Sequence, residues 1–364
     1  MTICMDQHEA FQKGKSTRNI KKQVLGINSS TPQLLNTESN GEMPNVLITG
    51  ANGFIGNALS KKMEIKGWQV KGSVRTTQPI DSPETGLNFI DVGPIGPDTD
   101  WDSALNSADT VVHLAAQLRL DAYGAADPTT TACHVNVAGT ESLARAAVNK
   151  NIRRFIYIST AKVNGEGRPA PYTEKDKSTP MDPYSISKYD GENILHEIAA
   201  DTGLEVVILR PPLVYGPGVK ANFFYLLKLV HKGLPLPFAR VENRRSLIFL
   251  DNLISAIIAC IQHPAAAGET YLVSDAEIVS TPELIRKIAE ALGKPARLFS
   301  LPPNMLHMIA RFAGKSDRVK PLLNSFTVDT SKIRSDLNWK PIYTQKEGLI
   351  QTARWFLEEQ SRQV

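Results

Sequence analysis

Cysteine is scarce: Cys4, Cys133 and Cys260 are odd in number, far apart, and never arranged as a CxxC pair. That pattern gives no sign of a disulfide framework or a zinc site, so no metal is expected and a reducing cytoplasm fits best. Long apolar runs are missing too. None is long enough to make a membrane-spanning helix, and the amino terminus lacks a charged region followed by an apolar stretch and a cleavage site. Membrane insertion and export are therefore not expected. Nor is there a long basic block, and the formal net charge is only +4, so nucleic acid is not an expected partner and a small acidic ligand is. What is present is bulk. With 364 residues, 42% of them hydrophobic, the chain can bury a large core as one large domain or two unequal ones.

Residues 1–43 are rich in Ser, Asn, Gln, Thr and Lys without apolar periodicity, which predicts a disordered tail without chemistry. The first convincing strand follows Met43, an alternative start of translation that an intact mass would test. From Asn45 short Val/Ile/Leu runs alternate with helical stretches. Strands are expected at 46–48, 70–74, 87–90, 110–114, 155–158 and 206–209, and helices at 54–66, 136–149 and 183–200. This rhythm predicts an α/β fold with a doubly wound parallel sheet of the Rossmann type. After Arg210 prolines and glycines punctuate the text and the rhythm weakens. A smaller carboxyl-terminal lobe is expected there, with helices at 222–232, 251–262, 282–292 and 345–359.

The stretch from Val46 to Gly56 reads as a buried strand, a glycine turn and a helix start, the order a dinucleotide pyrophosphate needs. Gly50 permits the turn, Gly53 lets an anion approach the backbone, and Gly56 allows helix and strand to pack closely. Asn52, Phe54 and Ile55 complete the cofactor-binding turn. The domains are accordingly expected as a tail (1–43), a dinucleotide-binding domain (44–211) and a mainly substrate-binding lobe (212–364). An acidic residue at the end of the second strand would bond the adenosine ribose, but Val74 stands there with Arg75 next. A guanidinium suits a 2′-phosphate, so NADP(H) is favoured over NAD(H). Asp91 and Val92 are placed at the adenine, and Leu114, Ala115 and Ala116 beneath the nicotinamide half. His113 reads as a packed, hydrogen-bonded histidine.

Tyr184 and Lys188 open an expected helix at i, i+4 spacing, which puts phenol and ammonium on one face. The cation is expected to favour the phenolate. Ser159 and Thr160 end the fifth strand at the carboxyl edge of the sheet, where Thr160 is placed to bond a reacting oxygen. Thr160, Tyr184 and Lys188 form the candidate catalytic trio.

These segments resemble the extended short-chain dehydrogenase/reductase family, specifically its nucleotide-sugar epimerases and reductases, over residues 43–358. The likeness rests on TGANGFIG (49–56), HLAA (113–116), NVAGT (136–140), YSISK (184–188) and LRPPLVYGPG (209–218) in family order and spacing. It implies a helix kink at Asn136, a cofactor contact at Pro211, and substrate contacts at Asn222 and, to the diphosphate, Arg245. It also implies a UDP-sugar as the bound partner and allows a homodimer through the helices at 136–149 and 183–200. The stretch 159–166 looks most like bacterial 4-ketoreductases that form UDP-N-acetylquinovosamine for O-antigen and capsule assembly. A 4,6-dehydratase would carry an Asp-Glu pair after the threonine, whereas Ala161 and Lys162 stand there. Reduction of a C4 ketone is thus the first expectation and 4-epimerisation of UDP-glucose or UDP-GlcNAc the alternative. A non-catalytic nucleotide-sensing regulator is a remote third.

Overall fold

The computed structural model describes residues 44–75, 88–117, 132–312 and 316–362. The expected tail and Leu87 lie outside them. The elements run β1 (Asn45–Thr49), α1 (Phe54–Ile65), β2 (Gln69–Val74), β3 (Asn88–Asp91), α2 (Asp102–Leu105), β4 (Thr110–His113), α3 (Gly139–Asn149), β5 (Arg154–Ile158), α4 (Pro183–Thr202) and β6 (Glu205–Arg210). They continue with β7 (Leu213–Tyr215), α5 (Ala221–His231), β8 (Arg245–Phe249), α6 (Leu250–Gln262), β9 (Thr270–Leu272), β10 (Ile278–Val279), α7 (Thr281–Ala291), α8 (Pro303–Phe312), α9 (Ser316–Leu323), α10 (Ser331–Leu337) and α11 (Gln345–Arg362).

Seven strands form one sheet in the order β3-β2-β1-β4-β5-β6-β9, and their pairings are all parallel. The order reverses between β1 and β4, which opens a crevice at the carboxyl ends of these strands. Register sets what lines it: Thr49 pairs with His113, and His113 with Tyr157. Side chains alternate along β1, so Val46 and Ile48 join a core with Leu59 and Met63 of α1, while Leu47 joins the opposite core with Leu143 and Leu195. Both faces are covered, as the unbroken apolar runs require.

Beyond residue 211 the chain contributes both to the first sheet and to a second unit. Helix α6 packs Leu253 and Ile257 into the core under α1, and β9 returns as the edge strand beside β6. The remaining elements build a three-stranded sheet, β10-β8-β7, over a core that includes Phe223, Leu227, Leu284, Ile288, Leu349 and Phe356. Helices α2, α8, α9 and α10 were not expected. Each is short, and α9 contains Pro321, which breaks the periodic signal. Of the cysteines among the described residues, Cys260 is buried and free.

Candidate active site

The turn after β1 is a cradle from which side chains are missing. Gly50 has φ +65°, and a Cβ there would lie 3.0 Å from the Ala115 backbone. At Gly56 a Cβ would come within 2.2 Å of the Gly50 carbonyl oxygen, so strand and helix can pack only over glycine. Gly53 donates its N–H to Gly50 O at 2.9 Å and is the N-cap of α1. No side chain caps that helix and no acid occupies its first turn, which leaves its amino end open to an anion. Asn52 is exposed, and Phe54 and Ile55 are half-buried beside the turn. A pyrophosphate fits this cradle, where any Cβ would intrude.

Around it, Val74 is buried and Arg75 exposed at the end of β2. Asp91 accepts the Gly93 N–H at 2.8 Å, and Val92 N–H donates to Val74 O at 3.0 Å. Leu114 and Ala115 donate their N–H groups to Thr49 Oγ1, both at 3.2 Å. Ala116 follows them half-buried, and buried Pro211 accepts the Ala161 N–H at 2.9 Å.

His113 is enclosed as expected. Its Nδ1 lies 2.7 Å from Thr49 Oγ1 and its Nε2 3.0 Å from Thr140 Oγ1, which in turn donates to Asn136 O at 2.8 Å. Because Thr49 Oγ1 already accepts two backbone N–H groups, its own proton points to Nδ1, and Nε2 carries the imidazole hydrogen. Burial, with the nearby Lys188 charge, lowers the His113 pKa to about 3, so the ring is neutral.

The tyrosine helix α4 starts where the sequence dictates. Asp182 is its N-cap, Pro183 stands at N1, and Ser185 completes a capping box, donating its N–H to Asp182 Oδ1 at 3.0 Å. This places half-buried Tyr184 in the first turn and buried Lys188 one turn on. The chain around Asn136 forms a π-helical turn, His134–Ala138, which is the kink implied by the family resemblance. Asn136 accepts the Gln117 N–H at 2.7 Å and donates to Gln117 O at 3.2 Å and to Ser187 Oγ at 2.9 Å, tying this turn to α4.

The Lys188 ammonium sits 3.8 Å from the Tyr157 ring centroid, a cation–π contact, and Tyr157 stacks on His113 at 5.8 Å. Burial depresses the Lys188 pKa to about 7, with Glu192 opposing. Tyr184 is pushed above the usual phenol range, first by burial and then by the Asp182 charge. Burial thus disfavours the charged form of both side chains.

Thr160 lies two residues beyond the end of β5, where it caps the turn Ala161–Asn164 and accepts the Lys162 N–H at 3.3 Å. Its neighbour Ser159 is buried with its hydroxyl unpartnered. The turn Ala161–Asn164 is tied to α4 by Lys162 Nζ, 3.3 Å from Asp182 Oδ2, which brings the Thr160 and Tyr184 segments together. Beneath them lies a buried network that sequence reasoning missed: Arg210 grips Glu192 through two bonds, 3.0 and 2.5 Å, and donates to Asn164 Oδ1 at 3.0 Å. Its members are far apart in sequence, so no motif marks it.

Arg245 opens β8 half-buried, donating to Asn324 O at 2.9 Å, with its pKa lowered by burial and supported by Glu166. Arg244 beside it is exposed. Asn222 is exposed in the first turn of α5. Among the described residues no hydrogen bond joins Asn222 or Arg245 to the trio, and no group of His, Cys, Asp or Glu could hold a metal ion. Among those residues, no helix is long and apolar enough to cross a membrane.

Residues 46–274 match the NAD dependent epimerase/dehydratase family. The chain belongs to that family. Membership makes it an enzyme that uses a nicotinamide dinucleotide, the group that the glycine cradle fits. It is 42% identical over 326 residues to a UDP-glucose 4-epimerase of Vibrio cholerae, covering 88% of this chain and 98% of that protein. Among solved structures, it is similar to UDP-glucose 4-epimerase of Thermotoga maritima with UDP-glucose, at TM-score 0.71 and 21% identity over 87% of this chain and 99% of that one. UDP-glucuronic acid 4-epimerase of Bacillus cereus in complex with NAD aligns at TM-score 0.70 and 24% identity, over 86% and 99%. These two establish the fold.

Proposed function

We propose that this family member transfers a hydride to C4 of a UDP-linked 4-keto-6-deoxy-N-acetylhexosamine, giving UDP-N-acetylquinovosamine. What supports this reading over the alternative is the end of β2, where buried Val74 and exposed Arg75 stand in place of a carboxylate and suit a phosphate-bearing coenzyme that is exchanged at each turnover. A bound nicotinamide dinucleotide supplies the hydride. The cradle of Gly50, Gly53 and Gly56 would hold its pyrophosphate, with Asp91, Val92 and the 114–116 segment along its length. Thr160 orients the ketone oxygen and Tyr184 gives it a proton. Lys188, one turn behind, settles the charge left on the phenol. Arg245 and Asn222 face the UDP diphosphate, for which a guanidinium fork is suited. Val74 and Arg75 at the end of β2 favour NADPH, because no carboxylate stands there to repel a 2′-phosphate.

A second reading, 4-epimerisation with the coenzyme recycled, is favoured by the name of the 42% identical relative. Both use the same trio and differ in whether coenzyme is consumed. Purified protein is incubated with UDP-4-keto-6-deoxy-N-acetylglucosamine and NADPH or NADH, and separately with UDP-glucose or UDP-N-acetylglucosamine. Stoichiometric coenzyme oxidation with the keto-sugar supports reduction. Interconversion of C4 epimers without net consumption overturns it in favour of epimerisation.

A further inference from the structure

Lys162 lies two residues beyond Thr160, and its ammonium is engaged on two sides. It is 3.3 Å from Asp182 Oδ2 and 3.0 Å from Glu166 Oε1. The two oxygens of Asp182 are divided between tasks: Oδ1 accepts the Ser185 N–H that caps α4, and Oδ2 takes the ammonium. Tyr184 is two residues from Asp182 and feels its charge. A single cation therefore joins the turn that carries Thr160 to the carboxylate that begins the Tyr184 helix.

We propose that Lys162 is a positioning residue: its ammonium locks the amino end of the tyrosine helix against the Thr160 turn and screens the Asp182 carboxylate from the phenol. The inference rests on Tyr184 as the proton donor. The charged and titratable groups of this cluster are Asp182, Lys188, Asp190 and Glu192 on the helix of Tyr184, Tyr157 on β5 with His113 stacked behind it, and Lys162 with Glu166 after β5. Of these, Asp182 opposes ionisation of the phenol, and the Lys162 ammonium lies 3.3 Å from the Asp182 carboxylate. Glu166 extends the chain of charges to Arg245, whose cation it supports.

Two substitutions separate screening from simple support of the fold. Lys162→Met leaves Asp182 unscreened and raises the phenol's titration further. Asp182→Asn keeps a good N-cap but removes the charge, so the titration falls. The shifts have opposite signs, each of about one pH unit. The measurement is 19F NMR of protein labelled with 3-fluorotyrosine, whose fluorine brings the phenol into an accessible range, with Tyr184→Phe used to assign the line. Lys162→Arg should restore the wild-type midpoint. Turnover should fall by up to about tenfold in Lys162→Met, the equivalent of one unit in donor strength, with the coenzyme KM unchanged. Shifts of the same sign in both variants, or no shift in Asp182→Asn, overturn the proposal even where Lys162→Met fails to fold. Opposite shifts in a protein that turns over no UDP-sugar would leave the clamp standing and remove the proposed reaction instead.

Discussion

The glycine turn after β1 and the tyrosine edge after β5 share one end of the sheet, yet they are built in opposite ways. At the turn, side chains are withheld. Gly50 and Gly56 leave room measured in fractions of an ångström, and the uncapped end of α1 offers bare N–H groups. At the edge, side chains are crowded: Lys188, Tyr157 and His113 are buried against one another, and burial sets their protonation. On the proposed reading, the first region binds through backbone and has no room for a Cβ at Gly56, whereas the second works through buried titratable side chains. Substitutions should therefore separate binding from chemistry.

The largest separation is expected at Tyr184. Tyr184→Phe should lower kcat by about 10²–10⁴, the range for loss of a positioned acid, while the dinucleotide Kd from fluorescence titration stays at the wild-type value. Wild-type turnover in that variant would erase the contrast. The converse is Gly56→Ala, where the added carbon meets Gly50 O at 2.2 Å. It should destabilise the fold by about 1–3 kcal/mol in urea unfolding and weaken dinucleotide binding with it. A variant of normal stability and affinity would show that the close approach is not required.

At the far end of the cradle, Arg75→Ser should reduce kcat/KM with NADPH roughly tenfold and leave NADH unaffected, because a hydrogen bond to a charged group is worth about 1.5–3 kcal/mol. Equal losses with both coenzymes would count against the 2′-phosphate contact. The smallest effect concerns Lys188. Its pKa falls from the usual 10.5 to about 7 on folding, so between these values the unfolded chain holds a proton that the folded chain has released. Stability contributed this way rises with pH across that window and is lost as pH drops toward 7. Lys188→Met should flatten the rise between about pH 7.5 and about pH 9 by at most about 1.4 kcal/mol per pH unit, measured by urea unfolding. An unchanged slope would mean that the ammonium is not desolvated.

Much of this was legible because the sequence marks backbone demands directly. TGANGFIG can be read as a turn since only glycine meets its steric terms, and Asp182-Pro183 announces the start of α4 through ordinary capping chemistry. The apolar runs gave the central strands, whose residues are buried on both faces. The surroundings of Lys188 were not legible. Spacing put a cation one helical turn away, but the ammonium turns to Tyr157, a strand residue that no helical pattern names. Nor was β9, three residues long, distinguishable from a loop before its place beside β6 was known. The Arg210–Glu192 grip and the Lys162–Asp182 bridge join residues 18 and 20 positions apart, beyond the reach of local periodicity.

The central claim is that Tyr184 donates a proton to a C4 oxygen as a hydride arrives at the same carbon. Reaction of the UDP-4-keto-6-deoxy-sugar with coenzyme deuterated at the transferring position tests it most directly, by NMR of the sugar product. One deuterium at C4 for each coenzyme oxidised, abolished by Tyr184→Phe, is the predicted result; a product without label at C4, or labelling that persists at the wild-type rate in the variant, would contradict it.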